Sequence, residues 1–350
     1  MDKKTAVILF NSGGPDSFKS VKKFFFNRFN DKAIIPLPQP FRFLLAKFIS
    51  TRQKQKAQNI YQQIDKKPPI LETTIAQAEA LEKELSYLGN YKVFVSMRYW
   101  QPFAKDVIKK VKEYTPSQII FLPLYPQFST TTTTSSFDDF YQKLKKAKIS
   151  ATIKYACCYP TNINFVHSHS HLIKQSIAKI KSTGFNNFRL LFSAYALPQK
   201  IIDMGNPYCF LVQVSVDAIV KELNEDNLDY QVCYQSTVSL IKSTQPSLDF
   251  EISRAALDAK AIIVVPITFV SDQYQTYVEL DIKFAEIAKQ KNIIFYCRVP
   301  ALNVSGYFVQ SLVDICKSAL SIKYDCIGGE FGKRICPKNL KKCPNSNYEL

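Results

Sequence analysis

Ala6-Val-Ile-Leu-Phe-Asn-Ser-Gly-Gly-Pro15 is a β-branched and aromatic run that breaks into turn residues, and Arg189-Leu-Leu-Phe-Ser-Ala-Tyr-Ala-Leu-Pro198 repeats its texture in the second half of the chain. Short apolar runs closed by turn residues read as buried strands. Three more follow the first, at Tyr91–Met97, Gln118–Leu124 and Thr152–Cys157. The second half repeats the order with Phe188–Phe192, Tyr230–Tyr234, Ala261–Pro266 and Asn292–Cys297, and Ile119-Ile-Phe-Leu-Pro123 parallels Ile262-Ile-Val-Val-Pro-Ile267. Helical apolar spacing lies between strands, over Thr73–Leu88 and Phe103–Tyr114. Alternating strand and helix predicts parallel sheets built from βαβ crossovers. The intervals between strand ends agree between the halves except the first, which is longer in the first half by about 45 residues, a single insertion.

The expected architecture is therefore α/β, two doubly wound domains with an inserted apolar lip. Residues 1–160 form the first domain, with the lip at about 20–65 and a C-terminal segment, 305–350, completing it; residues 161–304 form the second. In such sheets ligands bind at the carboxyl ends of the strands. That directs attention to the loops Asn11–Asp16, Arg98–Phe103, Tyr125–Ser136, Ala194–Pro198, Gln235–Pro246 and Thr268–Glu279.

The lip runs from Phe24-Phe-Phe26 through Ile34-Ile-Pro-Leu-Pro-Gln-Pro40 to Phe41–Ile49, and prolines 36, 38 and 40 favour an extended segment there. Its apolar side chains stand beside Arg28, Arg42 and Lys47. That mixture suits a membrane surface or the rim of a pocket for a large flat ligand, or simply covers the first domain's core.

The 46 basic residues exceed the 29 acidic ones, for a net charge of +17, which points to nucleic acid, anionic lipid or an acidic ligand. Only 8 of the cations are Arg, the side chain that forks onto guanine edges, so sequence-specific DNA reading is disfavoured and no nucleic-acid partner is expected. Codon usage rich in A and T would also raise Lys without any partner. The nine glycines satisfy neither GxGxxG nor GxxxxGK[ST], which disfavours both standard nucleotide loops. No apolar run is long enough to span a bilayer, and Ala6–Phe10 is too short for a signal-peptide core. The expected setting is cytoplasmic, with the nine cysteines reduced.

The loop texts together resemble the ferrochelatase family. The resemblance spans about Ala6 to Asp281 and is carried by Asn11-Ser-Gly-Gly-Pro-Asp16, Met97-Arg-Tyr99, Leu122-Pro-Leu-Tyr-Pro-Gln127, Phe192-Ser-Ala194, Gly205-Asn-Pro-Tyr208, Tyr234-Gln-Ser236 and Phe269-Val-Ser-Asp272 with Glu279-Leu-Asp281. It implies two Rossmann-like domains around a porphyrin cleft with an apolar lip, and porphyrin and ferrous iron as substrates. It further implies porphyrin contacts from Ser12, Arg98, Tyr99, Ser129 and Phe269, metal contacts from Tyr195, Asp272 and Glu279, and catalytic positions at Tyr195, Gln275 and Glu279.

The chain departs from the family where chemistry is concentrated. The family's Ser-Ala-His becomes Ser193-Ala-Tyr195, and Ser-Asp/Glu-His-x-Glu-Thr becomes Ser271-Asp-Gln273-Tyr-Gln275-Thr276. The stretch usually reading Tyr-Gln-Ser-x-Val-Gly-Pro is here Tyr234-Gln-Ser-Thr-Val-Ser-Leu-Ile-Lys-Ser243. Two pyrrole protons must leave as Fe²⁺ enters the ring, which calls for a base with a pKa near the working pH. A phenol titrates near 10 and an amide not at all, so Tyr195, Gln273 and Gln275 replace no base in kind. Loss of a positioned base costs roughly 10²–10⁴ in rate. Weakened iron insertion is the first expectation. A non-catalytic porphyrin- or haem-binding relative is the second, in which a Tyr195 phenolate could serve as axial ligand to ferric haem. A structural, partner-binding remnant is the third.

His167-Ser-His-Ser-His171 holds all three histidines; His167 and His171 share a helix face but lack a neighbouring carboxylate, and an exposed polar segment is expected. Cys316, Cys326, Cys336 and Cys343 fit neither the CxxC pattern nor plant-type cluster spacing, so a [2Fe–2S] cluster is not expected, nor any other cofactor. The hydroxyl run Ser129–Ser136 fits a helix cap and a ligand contact, and Cys157-Cys158 fits core packing.

Overall fold

Strands β1 (Thr5–Asn11), β2 (Tyr91–Met97), β3 (Gln118–Pro123) and β4 (Thr152–Cys158) pair in parallel in the order β2-β1-β3-β4; β5 (Phe188–Tyr195), β6 (Tyr230–Gln235), β7 (Ala261–Val265) and β8 (Tyr296–Arg298) pair in the order β6-β5-β7-β8. A short ninth strand, β9 (Cys326–Gly328), adds to the edge at β4. The structure, a computed structural model, describes residues 3–61, 69–235, 242–321, 326–328 and 334–347. Each half thus places its second strand outside its first and its third inside, the doubled plan the sequence repeat predicts. The protein is α/β with two parallel sheets.

Every residue of β1 is buried, because helices cover both faces of its sheet. Val7 and Leu9 join Ile120 and Leu122 in the core that continues between the two halves, while Ala6, Ile8 and Phe10 meet Ile119 and Phe121 on the opposite face. Helices α1 (Phe18–Phe29), α2 (Phe41–Tyr61), α3 (Ile70–Ser86), α4 (Ala104–Tyr114), α5 (Ser135–Lys146) and α6 (Ile163–Ser182) accompany the first half. Next come α7 (Gln199–Asp203), α8 (Tyr208–Leu223), α9 (Leu248–Leu257), α10 (Ala285–Gln290) and α11 (Gly306–Ser321). π-Helices occupy Thr130–Thr134 and Gln275–Phe284.

Three local outcomes differ from expectation. The lip is mainly two packed helices, α1 and α2, with the prolines confined to their connection. Strand β8 starts at Tyr296 rather than Asn292, because Asn292 turns left-handed (φ 57°) to end α10 and Ile293 folds back onto the Ala288 carbonyl. The histidine segment lies inside α6 and is not uniformly exposed: His167 pairs with Glu222 at 3.4 Å and His171 meets Gln175, but His169 is buried against Phe165 with no partner on either nitrogen.

A buried amide joins the halves. Gln77 of α3, fully buried, donates to the carbonyls of Asn303 (2.8 Å) and Val270 (3.3 Å) and accepts from Ser271 Oγ (3.0 Å). Leucine at this position would leave the Asn303 carbonyl and the Ser271 hydroxyl unpaired in the interior. Gln77→Leu is expected to cost about 1–3 kcal/mol, read as a lower midpoint in chemical denaturation.

Burial holds the His169 pKa down at about 3, against an ordinary value of 6.5. The unfolded chain takes up the proton that the folded protein refuses, so stability present above pH 6.5 is lost as pH falls from there toward 3. His169→Leu should move the acid-unfolding midpoint, followed by circular dichroism, to lower pH.

Candidate active site

The β1 and β3 ends diverge at the first sheet's switch point and the β5 and β7 ends at the second, so the strand ends face one cleft. From β1 come Asn11 and Ser12, from β3 Leu124 and Tyr125, from β5 Tyr195 and Leu197, and from β7 Thr268 and Phe269. A void of about 660 Å³ is lined by these together with Gln127, Ser129, Gln273 and Gln275. A second, of about 870 Å³, extends toward the lip, where Phe29, Ile34, Ile35 and Ile49 line it beside Tyr99 and Pro198. Ser12, Arg28, Tyr125, Thr131, Thr132, Tyr195 and Leu197 line both, so the voids are adjoining parts of one cleft. Its size and greasy side suit a large flat ligand.

Tyr195 is fixed from behind: its N–H donates to Thr268 Oγ1 (3.2 Å), and its carbonyl accepts from Tyr208 Oη (2.9 Å). Its ring lies edge-on to Phe269, and the Arg28 guanidinium of α1 sits over it at 4.7 Å. The lip also touches the second half directly, with the Phe25 and Tyr274 rings 5.9 Å apart.

Gln275 opens the longer π-helix, a rare winding often found at functional sites. Gln273 and Thr276 brace its start, where Gln273 N–H donates to Thr276 Oγ1 (2.8 Å). One turn beyond Gln275 lies Glu279, behind the wall of the void. Its Oε2 accepts from Gln235 Nε2 (3.3 Å), whose Oε1 accepts from Ser193 Oγ (2.9 Å), while Oε1 of Glu279 has no partner. Burial pushes this carboxyl up to about 7, against the opposing charges of Lys283 and Arg28.

The residues singled out in the sequence divide into those that meet at the cleft and those already engaged elsewhere. Ser12 and Tyr195 line both voids; Ser129, Phe269, Gln273 and Gln275 line the first, and Tyr99 lines the second. Arg98 lines neither: its guanidinium holds Asp31 (2.7 Å), Asp139 (3.6 Å) and Ser135 (2.8 Å), and Tyr99 Oη joins the same Asp31 (3.1 Å). Burial and the Asp31 charge raise the Tyr99 pKa, so its phenol stays protonated. Asp272 also stands apart from both voids. Arg298 Nη1 (2.8 Å) and Asn303 Nδ2 (2.9 Å) occupy its two oxygens, and its N–H donates to Asn303 Oδ1 (2.9 Å). Of the family's altered Tyr234–Ser243 stretch, residues 236–241 lie outside the described residues.

The C-terminal cysteines separate. Cys316 is on α11 in the main core, and burial pushes its thiol up to about 12. Cys336 and Cys343 pack with Cys157 and Cys158, and a thiol hydrogen bond from Cys336 pulls Cys343 below its ordinary value. The Cys326 side chain lies outside the described residues. Among the described residues, no three His, Cys, Asp or Glu converge as metal ligands.

Sequence reasoning treated Arg28 only as a cation of the lip and did not single out Thr131 and Thr132 beyond their hydroxyl run. The available signal was position: the threonines directly follow a strand end, whereas nothing near Arg28 in sequence indicates its contact with Tyr195.

A two-lobed parallel α/β fold with a cleft between switch points is the fold of solved chelatases. SirB from Bacillus subtilis with Fe³⁺ superposes with a TM-score of 0.55, covering 91% of this chain and 96% of that one at 10% identity. The sirohydrochlorin chelatase SirB from Bacillus subtilis subspecies spizizenii, in complex with cobalt, gives a TM-score of 0.50 over 90% and 95% at 10% identity. Within that class the sequence is decisive: the ferrochelatase family model matches residues 4–320, and the chain belongs to the ferrochelatase family. It is 47% identical to a ferrochelatase of Rickettsia bellii (strain OSU 85-389), over 97% of this chain and 95% of that one, and 45% identical to one of Wolbachia pipientis wMel, over 89% and 98%.

Proposed function

We propose that this chain inserts ferrous iron into a porphyrin in haem biosynthesis, with Glu279 as proton acceptor, and that it does so more slowly than a relative with a full set of titrating groups. Glu279 carries the reading. A carboxyl buried beside the cleft and titrating at about 7 is balanced between holding and releasing a proton at neutral pH. Porphyrin plus Fe²⁺ yields the iron porphyrin and two protons. Glu279 takes these one at a time past Gln275 and returns each to solvent. Tyr195 and the two glutamines shape the slot and leave the proton work to one group. Membership in the ferrochelatase family supports the reaction class.

Glu279→Gln is expected to lower iron or zinc insertion about 10²-fold or more with porphyrin binding retained, measured by fluorimetry. In the wild type the rate should rise with pH through about 7 and level off above it, because only the ionised carboxylate accepts a proton. A Tyr195→His, Gln275→Glu double variant should be faster than wild type. Porphyrin binding with insertion only in that double variant would instead identify a non-catalytic relative.

The lip supports a peripheral membrane contact in the cytoplasm. Among the described residues no helix is long and apolar enough to cross a bilayer, but α2 exposes Phe41, Leu44 and Phe48 beside Lys47 and Arg52. Apolar side chains flanked by cations suit the surface of an anionic bilayer. Phe41→Ser, Leu44→Ser, Phe48→Ser should abolish co-sedimentation with phosphatidylserine vesicles without altering insertion into a water-soluble porphyrin.

A further inference from the structure

Strand β2 forms the outer edge of the first sheet, and its backbone still offers hydrogen bonds there. The Arg98 N–H donates to the Asn11 carbonyl and the Asn90 carbonyl accepts from Thr5, so even-numbered residues of this strand turn toward β1 and odd-numbered ones turn outward. Val93, Val95 and Met97 therefore present their N–H groups to the outside. Val93 donates to Glu82 Oε2 (2.7 Å), which stands where a neighbouring strand's carbonyl would stand. Met97 donates to the Pro102 carbonyl (2.8 Å), where the chain lays a short parallel segment of its own on the edge. Between them, the Val95 N–H meets no acceptor among the described residues.

This edge is the floor of a groove of about 1040 Å³. Ile75, Ala78 and Glu79 of α3 line one wall, and Asp106, Val107 and Lys110 of α4 line the other. Because α3 packs on the sheet face of Val7 and Leu9 and α4 on that of Ala6 and Ile8, the walls stand on opposite sides of the strand. Such a slot admits one strand. A second copy's β2 is recessed between its own helices and cannot reach in, so the occupant is a lone extended segment, whose side chains would alternate between the two walls. Three carboxylates, those of Glu79, Glu82 and Asp106, line the groove against the ammonium groups of Lys92 and Lys110, in a chain whose overall balance is +17. Lys92 is held by Glu82 (3.7 Å), whereas Glu79 and Asp106 have no ion-pair partner among the described residues.

We infer that the β2 edge is a docking slot for one extended, basic segment of a partner protein, which adds as a strand beside Val93 and Val95 and sends a lysine or arginine toward Glu79 on one wall and Asp106 on the other. In strand addition main-chain bonds supply affinity and the side chains supply selectivity. β-Branched residues of the segment meet Ile75, Ala78 and Val107, and its carbonyls replace the Glu82 carboxylate on Val93 and take up the Val95 N–H. The groove shares no lining residue with the two voids of the cleft, so docking leaves the cleft open and the inference does not rest on the porphyrin reading.

The test uses two short fluorescein-labelled peptides of alternating valine and threonine, one interspersed with lysine and the other with glutamate, titrated with the full chain and read by fluorescence anisotropy. The lysine peptide should bind about tenfold or more tighter than the glutamate peptide, with the preference shrinking as salt is added. A Glu79→Lys, Asp106→Lys double variant should erase the preference. Val95→Pro removes the outward donor without touching the bonds to β1, and should weaken the lysine peptide about tenfold or more. Hydrogen exchange over Tyr91–Met97 should slow when the lysine peptide is bound. Binding of neither peptide, equal binding of both, or affinity indifferent to the charge variant would overturn the inference. Wild-type dimers in sedimentation that Val95→Pro dissolves would overturn it too, by making a second copy the occupant. Thermal melts establish that each variant is folded; should Val95→Pro unfold, the charge variant and the exchange rates decide, and unchanged exchange with peptide bound would place the contact elsewhere and overturn the inference.

Discussion

Two parallel sheets can present their strand ends to one cleft only if the halves are held in a fixed relation, and here a buried polar clasp joins them beside the apolar core they share. Gln77 on α3 is bonded to Val270, Ser271 and Asn303, and Asn303 in turn brackets Asp272 together with Arg298. Buried hydrogen bonds have direction, whereas apolar packing does not, so this clasp sets where the second half's loop lies relative to the first. Asn206 donating to Thr130 (2.8 Å) and Gln127 to Ser215 (2.8 Å) also join the two halves. A gap remains between these fixed points.

What fills the gap electrically is sparse. Among the described residues the wall is hydroxyl, amide, phenol and hydrocarbon, with one cation lining both voids and one carboxyl just behind them. The two charged groups have different relations to water. Arg28 borders the voids, whereas Glu279 is sealed in, and burial pushes its carboxyl up to about 7.

Much of this was readable from the linear chain. Buried parallel strands are covered on both faces, so Ala6–Phe10 and Ala261–Pro266 appear as unbroken apolar runs, and the second-first-third-fourth order recurs because the run repeats. Loops at strand ends were therefore locatable in advance, and Ser12, Ser129, Tyr195 and Phe269 do line the cleft. Arg98 and Asp272 illustrate the limit. Their residue types suit ligand contact, but Asp31 and Arg298, far from them in sequence, already occupy them. His169 was equally opaque, since only half a helix turn separates it from exposed His171 and only α6's packing decides which face is inside.

Sequence alone determined the strands, their doubling, the insertion and the absence of histidine from the expected catalytic positions, because each is a property of neighbouring residues or of their spacing. Tertiary structure decided which charges are free to act. Arg28 meets Tyr195 across 167 positions of chain and Glu279 is dehydrated by segments remote from it. Charge is governed by distance in space and by exclusion of water, neither of which is written in local order.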